Sequence, residues 1–154
     1  MLRFALTLLA LSLSGCTVNQ PALNQTQAVA RVEQLIRDTA DALAIRPRLE
    51  LIESSVAPHT CLNDDLPDDM VVIGRAYWLR NVPKSENMAI SRQVRAHWEA
   101  AGHRIVAAGR AGNPDLSGES RPDGFTLTLT WADGDNLYLG AASPCVWPDG
   151  HPSE

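Results

Sequence analysis

The feature that most constrains this 154-residue chain is its opening stretch. Phe4-Ala5-Leu6-Thr7-Leu8-Leu9-Ala10-Leu11-Ser12-Leu13 is an apolar run of ten residues. A helix needs roughly 20 such residues to span a bilayer. Arg3 precedes the run and Ser14-Gly15 follow it, so a positive start, an apolar middle and small residues stand in the order of an export signal. The part expected to fold is the chain beyond that signal. No second apolar run in the sequence is long enough to act as a permanent transmembrane anchor.

Leu13-Ser14-Gly15-Cys16 resembles the lipobox of bacterial lipoproteins: a branched apolar residue, two small residues, then cysteine. The resemblance implies cleavage between Gly15 and Cys16 and a thioether-linked diacylglycerol on Cys16. It often brings a further acyl chain, such as palmitate, on the new amine. The alternative is an ordinary export signal with an incidental cysteine. Each buried methylene stabilises membrane attachment by about 0.8 kcal/mol, and stable anchoring takes two signals. Two or three chains on one residue meet that need, which places the protein at the cell membrane, lipid-anchored on the extracytoplasmic face.

Cleavage there leaves 139 residues with a formal net charge of −6, since Arg3 is the only charged residue removed. That length suits one domain. An acidic domain without a basic stripe argues against nucleic-acid partners and against electrostatic binding to anionic lipid. Lys84 is the only lysine beside twelve arginines, a bias that reflects codons of a GC-rich genome rather than chemistry. With Cys16 assigned to lipid, Cys61 and Cys145 remain, and outside the cytoplasm an even pair reads as a disulfide. Such a bond closes a loop of about 80 residues, which chain entropy values at roughly 4–5 kcal/mol. Two free thiols or half of a metal site are the alternatives; no Cys-x-x-Cys or paired histidine supports the latter.

Along the chain, residues 16–25 read as a short lipidated tether with a reach on the order of 30 Å. Val29, Val32, Ile36, Ala40 and Leu43 recur at helical spacing, so a helix is expected from Asn24 or Thr26 to Ile45, stopped by Pro47. Leu49 to Val56 reads as a strand. Asn63-Asp64-Asp65-Leu66-Pro67-Asp68-Asp69 reads as a solvated acidic turn without the ligand spacing of an EF-hand loop. Val71 to Val82 is a longer strand, with Ile73, Tyr77 and Leu79 on one face and Val72, Ala76 and Trp78 on the other. Ser85 is the expected N-cap of a second helix whose apolar stripe is Ile90, Val94, Trp98 (or His97) and Ala101, ending at Gly102. His103 to Gly109 returns as a strand, and residues 110–124 form a polar loop rich in breakers. Phe125, Leu127, Leu129 and Trp131 alternate with threonines as the clearest strand, and Asp133-Gly134-Asp135-Asn136 turns it into Leu137–Ala142.

The expected fold is therefore α+β: one domain over residues 26–148, followed by a polar tail, 149–154. Two helices pack on one face of an antiparallel sheet of about five strands, in the order helix, strand, strand, helix, strand, strand, strand, with one disulfide. Val94-Arg95-Ala96-His97-Trp98-Glu99-Ala100-Ala101-Gly102 running into Arg104-Ile105-Val106, with the closing Ser143-Pro144-Cys145-Val146-Trp147-Pro148, resembles small envelope lipoproteins of GC-rich Gram-positive bacteria. The resemblance covers most of the mature chain and brings no activity or catalytic residue with it.

Chemistry is sparse. There is no Gly-x-Ser-x-Gly, and Ser117 and Ser120 have no histidine near them in sequence. His59, His97, His103 and His151 are scattered and no His-Glu-x-x-His is present, so neither a metal nor a cofactor is expected. Trp78, Trp98, Trp131 and Trp147 are expected in the core, with Trp147 the most exposed. The functional expectation is a non-enzymatic, membrane-anchored accessory or binding domain whose protein or small-molecule partner is left open. An envelope carrier would show an apolar cavity between helices and sheet. A small envelope hydrolase would instead gather histidine, acid and hydroxyl in one cleft.

Overall fold

A computed structural model describes residues 23–61 and 66–152. Gly15, Cys16, most of the tether, and Asn63, Asp64 and Asp65 of the acidic turn lie outside the described residues. The first helix, α1, runs Gln25–Asp41. Asn24 starts it through a capping box: its side chain accepts from Gln27 N at 2.9 Å, and its own N–H donates to the Gln27 side chain at 3.0 Å. Val32, Ile36 and Ala40 are buried as the spacing predicts, joined by Ala28, Leu35 and Thr39. The helix ends four residues before Ile45, and Leu43 is buried just beyond its C-cap.

The strands that follow are shorter than the sequence suggests. β1 is Arg48–Leu51, and a 3-10 turn at Glu53–Ser55 replaces the expected continuation to Val56. The long strand is broken too: β2 (His59–Thr60) pairs with β3 (Val71–Val72) in a separate two-stranded sheet, and β4 is Gly74–Arg80. Ile73 sits between them, exchanging hydrogen bonds with Ser143, whose N–H donates to Ile73 O (2.8 Å) and whose Oγ accepts from Ile73 N (2.9 Å). The second helix, α2, covers Asn87–Ala100 behind a 3-10 turn at Lys84–Glu86, so Glu86, not Ser85, occupies the N-cap position, without a side-chain cap. Its buried stripe is Ile90, Val94 and Trp98, whereas Ala101 is exposed; Gly102 at φ 80° provides the stop.

β5 (Arg104–Ala108) carries a bulge at Val106, and residues 110–124 are not simply a loop. They contain β6 (Leu116–Glu119), whose partners are β5 and β7 (Thr126–Ala132). β8 is Asn136–Ala142. The main sheet is antiparallel with six strands in the order β1-β4-β8-β7-β6-β5, one more than expected besides the two-stranded sheet. Both helices contribute to one core on one face: Val32, Ile36, Ile90, Val94 and Trp98 meet Leu79, Leu116, Leu127, Leu129 and Leu139. The Cys61–Cys145 disulfide is present, with the two Cα atoms 6.1 Å apart, and it ties the two-stranded sheet to the C-terminal segment. Val71 and Val146 exchange both backbone hydrogen bonds beside it.

Of the four tryptophans only Trp98 is fully buried, at 1% exposure; Trp78 and Trp147 are half-buried and Trp131 is 41% exposed at the end of β7. Trp98 explains why β6 escapes notice in the sequence. Gly118 faces the core there, and a Cβ on it would lie 3.0 Å from Trp98 Cε3 and 3.2 Å from Arg104 O. The indole occupies the volume where a strand would normally display a side chain. Gly118→Ala is therefore expected to destabilise the domain by about 1–3 kcal/mol through overpacking, while Ser117→Ala on the other face stays within about 0.5 kcal/mol. Urea unfolding of both variants measures this, and equal stability would show that the indole has room to move.

Candidate functional site

The first candidate is a cleft of about 510 Å³ between α1 and the C-terminal end of α2, lined by Arg31, Asp38, Thr39, Asp41, His97 and His103 among others. The fold brings the α1 residues to His97 and His103, more than 50 positions away in sequence. Beneath it lies a network: Arg31 Nε donates to Asp123 Oδ2 at 2.6 Å, and Asp123 Oδ1 accepts from Ser120 Oγ. Burial pushes the Asp123 carboxyl up, but hydrogen bonds from Ser120 and Arg31 outweigh it and hold the group below its usual value. His103 Nδ1 accepts from Arg121 N at 3.2 Å. Burial, then the nearby Arg31, holds this imidazole below the ordinary histidine range, with Asp123 opposing.

Among the described residues, the hydroxyls in or beside the cleft are held by the fold. Thr39 Oγ1 donates to Leu35 O (2.7 Å) and accepts from Trp98 Nε1 (3.0 Å), and it is buried. Ser120 is fully buried, donates to Asp123 and accepts from Phe125 N at 3.0 Å. Both hydroxyls therefore serve the fold. His59 sits on β2 beside the opposite face of the sheet, so His97 and His103 come together without it. Among the described residues no group of three His, Cys, Asp or Glu side chains could hold a metal ion. The space between helices and sheet is packed: Ile36, Ile90, Val94, Trp98, Phe125, Leu127, Leu129 and Leu139 are each at most 2% exposed there.

The second candidate is the sheet face that the helices leave open. Directly paired residues point the same way, so one row across β4, β8, β7, β6 and β5 reads Ala76, Gly140, Thr128, Ser117, Ala107. Four strand spacings make this trough about 19 Å long. Hollows of about 360 and 220 Å³ meet at Thr128 along it. Trp78 and Tyr138 form a wall, edge to face with centroids 5.4 Å apart, and the Arg80 guanidinium lies 5.1 Å from the Trp78 ring centre. Glu50 accepts from Arg80 and Arg48 at one corner, and Glu119 accepts from Arg104 at the opposite corner; these bonds, Arg80 first for Glu50 and Arg104 for Glu119, lower both carboxyls. The sequence signals for this face were the threonines that alternate with Phe125, Leu127 and Leu129, and Ala76 and Trp78 set opposite Tyr77 and Leu79.

Comparison with known proteins finds no match, neither to a family model nor to a curated protein nor to a solved structure. Among the described residues no helix is long and apolar enough to cross a membrane.

On the helix side, Tyr77 OH donates to Glu33 Oε1 at 2.6 Å. Burial first, then this carboxylate, raises the phenol to about 12. The folded state thus holds its proton above the unfolded value of 10.0, so the interaction is fully present below pH 10 and is lost as pH rises towards 12. Ultraviolet titration should show a tyrosine ionising near 12, and Glu33→Gln should lower that midpoint. An unshifted midpoint in Glu33→Gln would remove the carboxylate as a cause.

Proposed function

We propose that this chain is a lipoprotein anchored through Cys16 on the extracytoplasmic face of the cell membrane, carrying a non-enzymatic binding domain. The observation that carries the location is the Cys61–Cys145 bond. Disulfides persist in oxidising compartments. The bond also uses two of the three cysteines and leaves Cys16, at the close of the lipobox-like stretch, as the odd one. The binding role is supported by the sheet, which is clothed on one face only, and by the engagement of Thr39 and Ser120 in the fold rather than in chemistry. The packed interior weighs against an apolar-ligand carrier, and the occupied hydroxyls weigh against a hydrolase.

Metabolic labelling with an alkyne fatty acid tests the anchor. The native chain is expected in the membrane fraction, labelled, with its first residue at Cys16. Cys16→Ser should abolish the label and the membrane retention of the processed chain. Label retained in Cys16→Ser, or a native chain beginning elsewhere without lipid, would defeat the proposal.

A further inference from the structure

The described chain begins where its C-terminal segment ends. Asn24 forms a parallel bridge with Trp147, and Gln25 N donates to Pro148 O at 3.1 Å. Leu23, Val29 and Val71 pack with Ala28, Ile73 and Val146 in a small core of their own at this end. The helix α1 then carries the chain away over 17 residues, about 26 Å of rise. One end of the domain therefore holds Leu23, Trp147, Pro148, the two-stranded sheet and the disulfide, and the β7–β8 turn lies at the other.

We infer that the Trp147 end of the domain lies against the bilayer surface, with the indole of Trp147 in the headgroup region. This rests on the lipid anchor proposed above. From Cys16 to Leu23 there are seven residue steps, a span of at most about 25 Å even when fully extended. Leu23 is thus kept close to the membrane, and Trp147 with it. Trp147 and Pro148 are half-buried and Pro144 is exposed, so this end offers an amphipathic aromatic and apolar edges. Tryptophan favours membrane–water interfaces because its ring is apolar and its N–H is polar. Segments 57–61, 66–72 and 143–152 carry Asp68, Asp69 and Asp149 and no lysine or arginine. The matching surface is accordingly zwitterionic rather than anionic, with contact made by the aromatic edge and tether. The β7–β8 turn and the far end of α1 stay clear of the membrane in this arrangement, while the hollow lined by His59 and Val72 opens near it.

The test uses the full lipidated chain in phosphatidylcholine vesicles containing a headgroup spin label that quenches tryptophan. Mass spectrometry first establishes lipid on Cys16 in the same sample. Quenching is expected, and Trp147→Phe should remove more than half of it while circular dichroism stays unchanged. Twenty Gly/Ser residues inserted after Gln20 should also reduce quenching, by about twofold or more, since a longer tether dilutes the domain away from the surface. Replacing phosphatidylcholine with phosphatidylglycerol at low salt should weaken it further. Lipidated protein whose quenching is absent, or is unaltered in Trp147→Phe, overturns the docking and leaves the anchor standing. Protein without lipid on Cys16 overturns both.

Discussion

A tryptophan buried to 1% takes an N–H out of water, and an unpaired polar group in such surroundings costs roughly 1–3 kcal/mol. Trp98 avoids this by donating to Thr39 Oγ1, whose own proton goes to Leu35 O. That short relay fixes α2 against α1, and the indole plane then fills the space over Gly118 on β6. Helix pairing, the placement of β6 and the depth of the cleft above them all follow from where this one ring sits. Gln93 adds a second lock further along, its side chain accepting from Ala44 N at 2.7 Å.

The regular parts of the fold were legible because their periodicity was clean. Val32, Ile36 and Ala40 at helical spacing announce α1, and Phe125, Leu127 and Leu129 between threonines announce β7. The failures have specific causes. β6 was hidden since its inward residues are Leu116 and Gly118, one of which has no side chain, and its neighbours Asn113-Pro114 and Arg121-Pro122 resemble a loop. The stretch from Val71 to Val82 looked continuous, but Ile73 N donates to the Ser143 side chain instead of a backbone oxygen, a contact 70 residues distant that no local pattern reveals. Trp131 obeys the alternation of β7 and yet is 41% exposed: β6 begins at Leu116, opposite Leu129, so the β6 ladder ends before Trp131 on that side.

The candidate surfaces were less legible than the fold, for a physical reason. Each is made of residues brought together by tertiary packing: Arg31 with Asp123 across 92 positions, Trp78 with Tyr138 across the β4–β8 ladder. The disulfide pairing was the exception, since a count of three cysteines with one assigned to lipid leaves a single possible pair. Cysteine number carries information about distant contacts that hydrophobic pattern does not.

The bulge at Val106 has a meaning at the scale of many molecules. β5 is an edge strand, largely apolar, with Val106 53% exposed, and a flat edge of that kind would template pairing with a second copy. Proteins confined to a surface meet one another far more often than proteins free in three dimensions. The extra residue in β5 disrupts the ladder locally and bends the strand. If the chain is anchored as proposed, that irregularity on an exposed edge strand would work against neighbouring sheets pairing edge to edge.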